Sequence, residues 1–117
     1  MKNILIVLLF LAFTSCQKDI ADIVITGIVT DAKTSNPIEG AEITIVCWFY
    51  GNSPDQSYSD EQTKSIKTDS KGKYQIDFDK GAFIEIKITA LGYNEKLETK
   101  YISGSKNSIS INLEQKN

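Results

Sequence analysis

The stretch FIEIKITA, Phe83–Ala90, alternates without a break: Ile84, Ile86, Ile88 and Ala90 fall on one parity, Glu85, Lys87 and Thr89 on the other. Successive side chains of a strand point to opposite faces, so this segment is a β-strand with one face buried and one in water. The same pattern extends outward. Tyr74, Ile76 and Phe78 share a parity in KYQIDFD, Lys73–Asp79, and Ile109, Ile111 and Leu113 share one in SISINLE, Ser108–Glu114. Ile23–Asp31 is rich in β-branched residues, Ala41–Tyr50 makes a second strand, and shorter strands are expected near Thr63–Thr68 and Asn94–Ile102. Between them stand clusters of turn formers: KTSNPIEG (Lys33–Gly40), DSKGK (Asp69–Lys73), Leu91-Gly92-Tyr93 and SGSKN (Ser103–Asn107). A polar segment, Gly51–Gln62, is long for a loop in a domain of this size. Beyond the leader no segment holds a helical period for three turns. About seven short strands at this spacing predict an all-β, two-sheet sandwich.

Several turn residues have evident roles. Asn36-Pro37 presets a turn, Asp69 is placed to cap the next one through its carboxylate, and Gly92 makes a corner from which Tyr93 packs back. Taken together, ITGIVTDAKTSNPIEGAEITI (25–45), TDSKGKYQI (68–76), ALGY (90–93) and SISINLE (108–114) resemble the carboxypeptidase regulatory-like domain, over about residues 23–114. The resemblance implies a transthyretin-like (prealbumin-like), seven-stranded Greek-key β-sandwich. Its motifs are structural, so it implies fold far more than function.

The N-terminus reads as an address. Met1-Lys2-Asn3 precedes ten apolar residues, ILIVLLFLAF (Ile4–Phe13), and then Thr14-Ser15-Cys16. A membrane span needs about 20 apolar residues, whereas this length fits a secretory signal cut after small residues. FTSC resembles the lipobox of bacterial lipoproteins, with Phe13 where Leu is usual. That implies a signal peptide over 1–15, a lipidation site at Cys16 carrying acyl chains such as palmitate, and a tether over 16–22 before the domain. A plain secreted protein cut near Ser15 is the alternative. Asp19 and Asp22 resemble the acidic signal that sends some Gram-negative lipoproteins to the outer face of the outer membrane. A solvated tether explains the same two residues.

Composition excludes several chemistries. The chain has no histidine, so His triads, His-ligated zinc and His general bases are excluded. It also has no arginine and no basic cluster, which argues against nucleic acid. Hydroxyisourate hydrolase shares the transthyretin-like fold but uses His, Arg and a C-terminal Tyr-Arg-Gly-Ser, which the ending LEQKN lacks. Metallocarboxypeptidase catalysis belongs to a separate domain. Some related adhesin sandwiches carry a Lys–Asn isopeptide bond, but Ile23–Asp31 holds no lysine to pair with Asn112. Asp77 with Asp79, and Asp55, Asp60 and Glu61, are the carboxylate groupings open to an acid–base or calcium role; such a strand pair is more often a solvated face, and the loop lacks the alternating Asp/Asn spacing of a calcium loop. No catalytic residue, metal or cofactor is expected.

The aromatics remain. In IVCWFY, Ile45–Tyr50, parity sends Cys47 and Phe49 into the core and Trp48 and Tyr50 to the outer face, near the loop carrying Tyr58. Exposed rings stack on sugars and anchor protein interfaces. Two readings stand for Trp48, Tyr50 and Tyr58: a binding surface, or rings covered by their own loop. The expected function is a non-catalytic, lipid-anchored envelope protein, an accessory or protein-interaction module of the kind that accompanies peptidases and precedes some TonB-dependent receptors. The expected partners are the membrane, through the anchor, and another envelope protein. The alternative is a surface glycan-binding protein.

Overall fold

The computed structural model describes residues 18–51 and 57–117. Among the described residues eight strands run in chain order: β1 (Ile20–Asp31), β2 (Glu42–Phe49), β3 (Asp60–Lys67), β4 (Lys73–Gly81), β5 (Phe83–Thr89), β6 (Lys96–Tyr101), β7 (Lys106–Ser108) and β8 (Ile111–Leu113). They form two sheets. One has the order β3-β2-β5-β6; in the other β1 lies between β4 and β7, and β8 also pairs with β1. Apart from the β2–β3 and β5–β6 hairpins and the step from β7 to β8 along β1, the chain crosses from sheet to sheet. Consequently β1 is antiparallel to β4 but parallel to β7 and β8. The molecule is the β-sandwich that the alternation predicts.

Parity decides the core. Ile43 pairs with Ile88, Ile45 with Ile86 and Cys47 with Ile84 on the inner face of one sheet, all at most 1% exposed. Ile23, Ile25, Val29, Tyr74, Ile76 and Phe78 face them from the other. Each fully buried isoleucine or phenylalanine contributes about 1.5–3 kcal/mol relative to exposure. β3 is different, because all eight of its residues are exposed. On this edge strand Lys64 reaches across to β4, donating to the Asp77 carbonyl with its ammonium 5.1 Å from the centre of the Phe78 ring. A lysine turned toward the core side of an edge discourages pairing with another chain.

The DSKGK turn forms as read. The Asp69 carboxylate accepts the Lys71 and Lys73 amides, each at 2.9 Å, and these bonds hold it below the usual carboxylate range. Gly72 completes that turn at φ +73°, where a side chain would also press on the Val29 carbonyl.

Three boundaries differ from the sequence reading. The last strand is divided in two, which brings the count to eight and draws Lys106 and Asn107 out of the expected SGSKN turn. The cause is Gly27. Its missing side chain leaves room for the Ile109 carbonyl, which leans over β1 and accepts the Tyr74 hydroxyl. Next, β3 starts at Asp60 and not near Thr63, shortening the polar loop. Finally, β1 starts at Ile20, so Ile20–Asp22 belong to the sheet and not to the expected tether.

Candidate functional site

The first residues described, Lys18 and Asp19, lie beside the end of β2. The Asp19 carboxylate accepts the Tyr50 amide at 2.7 Å through one oxygen and the Gly51 amide at 2.9 Å through the other. This clamp joins the entry of β1 to the turn after β2, at the end of the sandwich where β5 begins and β6 finishes. Aromatic rings collect there. The cross-strand register places Phe83 opposite Trp48 on one side and Tyr101 on the other. Tyr58, arriving from the loop before β3, stacks on Tyr50 at 4.9 Å and on Phe83 at 6.0 Å between centroids, and tilts against Trp48 at 6.2 Å. Phe83 in turn meets Tyr101 at 4.9 Å. Lys80 sets its ammonium 4.6 Å from the centre of the Phe49 ring. Such ring pairs each add about 0.5–1.5 kcal/mol beyond buried area.

Trp48, Tyr50 and Tyr58 are therefore brought together on the outer face, as parity expected. They are half-buried, and much of their ring surface is spent on one another. The Trp48 indole donates to Glu85 at 2.6 Å, which fixes its orientation. Burial and the Tyr50 contact push the Tyr58 hydroxyl up to about 12, so it stays a neutral phenol. Phe83 and Tyr101 were missed by the sequence reading. The signal was present: Phe83 lies on the Glu85 parity of FIEIKITA, outside the isoleucine face. Cys47 is buried as expected, and burial, then the nearby Asp19 charge, raise its thiol to about 11 against a smaller opposing effect of Lys64. Such a thiol is not a nucleophile at neutral pH.

From the aromatic end, the outer face of the β3-β2-β5-β6 sheet continues as a shallow groove over Val46, Glu85, Lys87 and Leu97. On β6, Leu97 at the groove and Tyr101 beyond it are open, 68% and 73% exposed, with Glu98 and Thr99 between them.

The opposite end of β1 is held by a different aspartate. Asp31 is buried, and its carboxylate accepts the Tyr93 hydroxyl at 2.7 Å, the Gln115 amide at 2.6 Å, and the backbone amides of Lys33 and Thr34 at 2.8 and 3.0 Å. The Gln115 and Tyr93 bonds, followed by that from Thr34, hold its carboxyl far below the usual range, with burial opposing them.

The other expectations are placed plainly. Cys16 and Asp55 lie outside the described residues. Asp77 and Asp79 are exposed on β4, and Asp60 and Glu61 are exposed on β3. Among the described residues no three of His, Cys, Asp and Glu are arranged to hold a metal ion, and no helix is long and apolar enough to cross a membrane. The Asn112 side chain is bonded by Thr30, while Lys96 donates to its carbonyl at 3.2 Å.

Solved structures of similar shape support the architecture. Catechol 1,2-dioxygenase of Acinetobacter radioresistens superposes with a TM-score of 0.62 at 14% identity, over 84% of this chain and 53% of that one. The 3-chlorocatechol 1,2-dioxygenase of Rhodococcus opacus gives 0.63 at 12%, over 82% and 60%. The Bacillus anthracis TIE protein gives 0.59 at 20%, over 81% of this chain and 17% of its own. This chain thus spans little more than half of the dioxygenases, and at these identities the likeness shows the fold alone. No curated protein matches the sequence. The profile of the carboxypeptidase regulatory-like domain matches residues 24–114, nearly all of the sandwich, and the chain belongs to that family.

Proposed function

We propose that the protein is a non-catalytic envelope module: a β-sandwich anchored to the outer membrane through an acylated Cys16 and acting by contact with another envelope protein. Several features support this reading. The family is one whose motifs build a fold and bring no reactive group of their own. The buried polar side chains Asp31, Thr68 and Asn107 are all bonded within the fold, so none points to a reaction. The FTSC leader supplies the address.

The observation that carries the proposed contact is the pair of open apolar side chains on β6. Leu97 and Tyr101 stand largely in water on an edge strand, beside the groove over Val46. A protein partner would seat an apolar side chain there, with Glu85 and Lys87 setting polar contacts around it. The sugar-platform reading of Trp48, Tyr50 and Tyr58 is less well supported, because those rings stack on each other and offer a sugar little free face.

A photo-crosslinking residue in place of Leu97 in the full-length protein, expressed in its envelope, tests the proposal. The expected result is one reproducible adduct, lost when Val46→Asp is added in the same groove. Absence of any adduct, or adducts equal to those from exposed Lys71, would overturn it.

A further inference from the structure

We infer that the aromatic end of the sandwich is held face-down on the lipid surface, with the Asp19 clamp setting the orientation of the whole domain. The inference rests on the reading of Cys16 as the acylated residue. Three peptide units separate Cys16 from Asp19, and even fully extended they span at most about 11 Å. Asp19 is tied to Tyr50 and Gly51, and Ile20 is already paired with Gly81 in the sheet. A domain on so short a link, tied down at Asp19, cannot stand away from the bilayer.

The end nearest the anchor has the composition that suits that position. Beyond the leader the chain has nine aromatic residues, and six of them (Trp48, Phe49, Tyr50, Tyr58, Phe83 and Tyr101) gather here. Rings with a polar tip settle at the boundary between headgroups and acyl chains, where one side is apolar and the other wet. Charges of both signs surround them, including Lys18, Lys80, Asp60 and Glu61, so contact does not depend on anionic lipid. In this pose the strands of the outer sheet rise from the membrane. Leu97 is then presented sideways, toward a neighbour in the same leaflet.

Orientation is read from two single-site probes on the full-length lipidated protein in phosphatidylethanolamine–phosphatidylglycerol vesicles. Ser59→Cys places a fluorophore at the aromatic end, and Leu91→Cys places one in the fully exposed turn at the far end. Buried Cys47 does not compete for a maleimide. With nitroxide-headgroup lipids in the vesicles, the Ser59→Cys probe is expected to be quenched several-fold more than the Leu91→Cys probe. A ten-residue Gly-Ser insertion between Lys18 and Asp19 is expected to erase the difference while the protein stays bound. Equal quenching at both sites on palmitate-labelled, vesicle-bound protein would overturn the orientation and leave the anchor standing. If the full-length protein, made with its leader in the envelope, carries no palmitate, the anchor reading is overturned, and the orientation with it.

Discussion

Asp19 and Asp31 bracket the same strand, and each uses its carboxylate to tie β1 to a distant piece of chain. Their settings differ in burial and in the number of donors. Asp31 is buried and gathers four donors from three places in the sequence: the adjoining turn, the Tyr93 corner and the C-terminal segment. Asp19 is half-exposed and takes two amides from one turn. The difference teaches what each end is for. The Asp31 end closes the fold, so losing it costs stability. The Asp19 end orients the fold with respect to the chain before it, so losing it costs geometry.

The largest expected effect is at Asp31. Asp31→Ala takes the acceptor from the Tyr93 hydroxyl, the Gln115 amide and two backbone amides at a part-buried site, four bonds to a charged group lost at once. Its urea midpoint should fall furthest of any substitution discussed. Acid gives the same answer by another route. Since the folded-state pKa of Asp31 is depressed, its contribution is complete above the ordinary carboxylate value of about 3.9 and is lost as pH falls through the folded value. Wild-type stability should therefore decline below that pH, and Asp31→Asn should flatten the decline while lowering the midpoint at neutral pH. An unchanged acid profile in Asp31→Asn would remove Asp31 as the closing residue.

Asp19→Ala should cost less, about 1–3 kcal/mol for two charge-assisted bonds at a partly exposed site. Far-ultraviolet circular dichroism should remain that of the native sandwich. An effect as large as that of Asp31→Ala would erase the distinction between the two ends. Smaller again is Tyr58→Ala. It removes one ring from stacks with Tyr50 and Phe83, for a loss of about 1–2 kcal/mol. Emission from Trp48, the only tryptophan, should shift to longer wavelength as water reaches it. Unshifted emission would mean that Tyr58 does not cover the indole.

How much of this was legible in the sequence follows the range of the interactions. FIEIKITA predicts its own buried face, and DSKGK predicts its own turn, because both depend on neighbours within a few residues. Parity likewise placed Cys47 inside and Trp48 and Tyr50 outside. The Asp31 cluster was not legible as a whole: the Lys33 and Thr34 amides are local, but the Tyr93 and Gln115 partners that make the aspartate a hub lie 62 and 84 residues away. Asp19 was read as part of a solvated tether or a sorting signal because its partners, 31 and 32 residues on, are backbone amides with no sequence signature. The division of the last strand depends on a carbonyl crossing Gly27, a contact between two sheet neighbours that only the assembled fold brings together. Phe83 and Tyr101 were within reach, because extending the outer parity through the β5–β6 hairpin would have added both to Trp48.

The anchor underlies both the proposed contact and the proposed orientation, and it can be tested directly. Cells expressing the wild type and Cys16→Ser are grown with an alkyne-tagged palmitate, and their envelopes are separated by density. The wild type is expected to carry the tag and sediment with the outer membrane, and Cys16→Ser to lose both. An untagged wild-type protein recovered in the soluble fraction would contradict the proposal at its root.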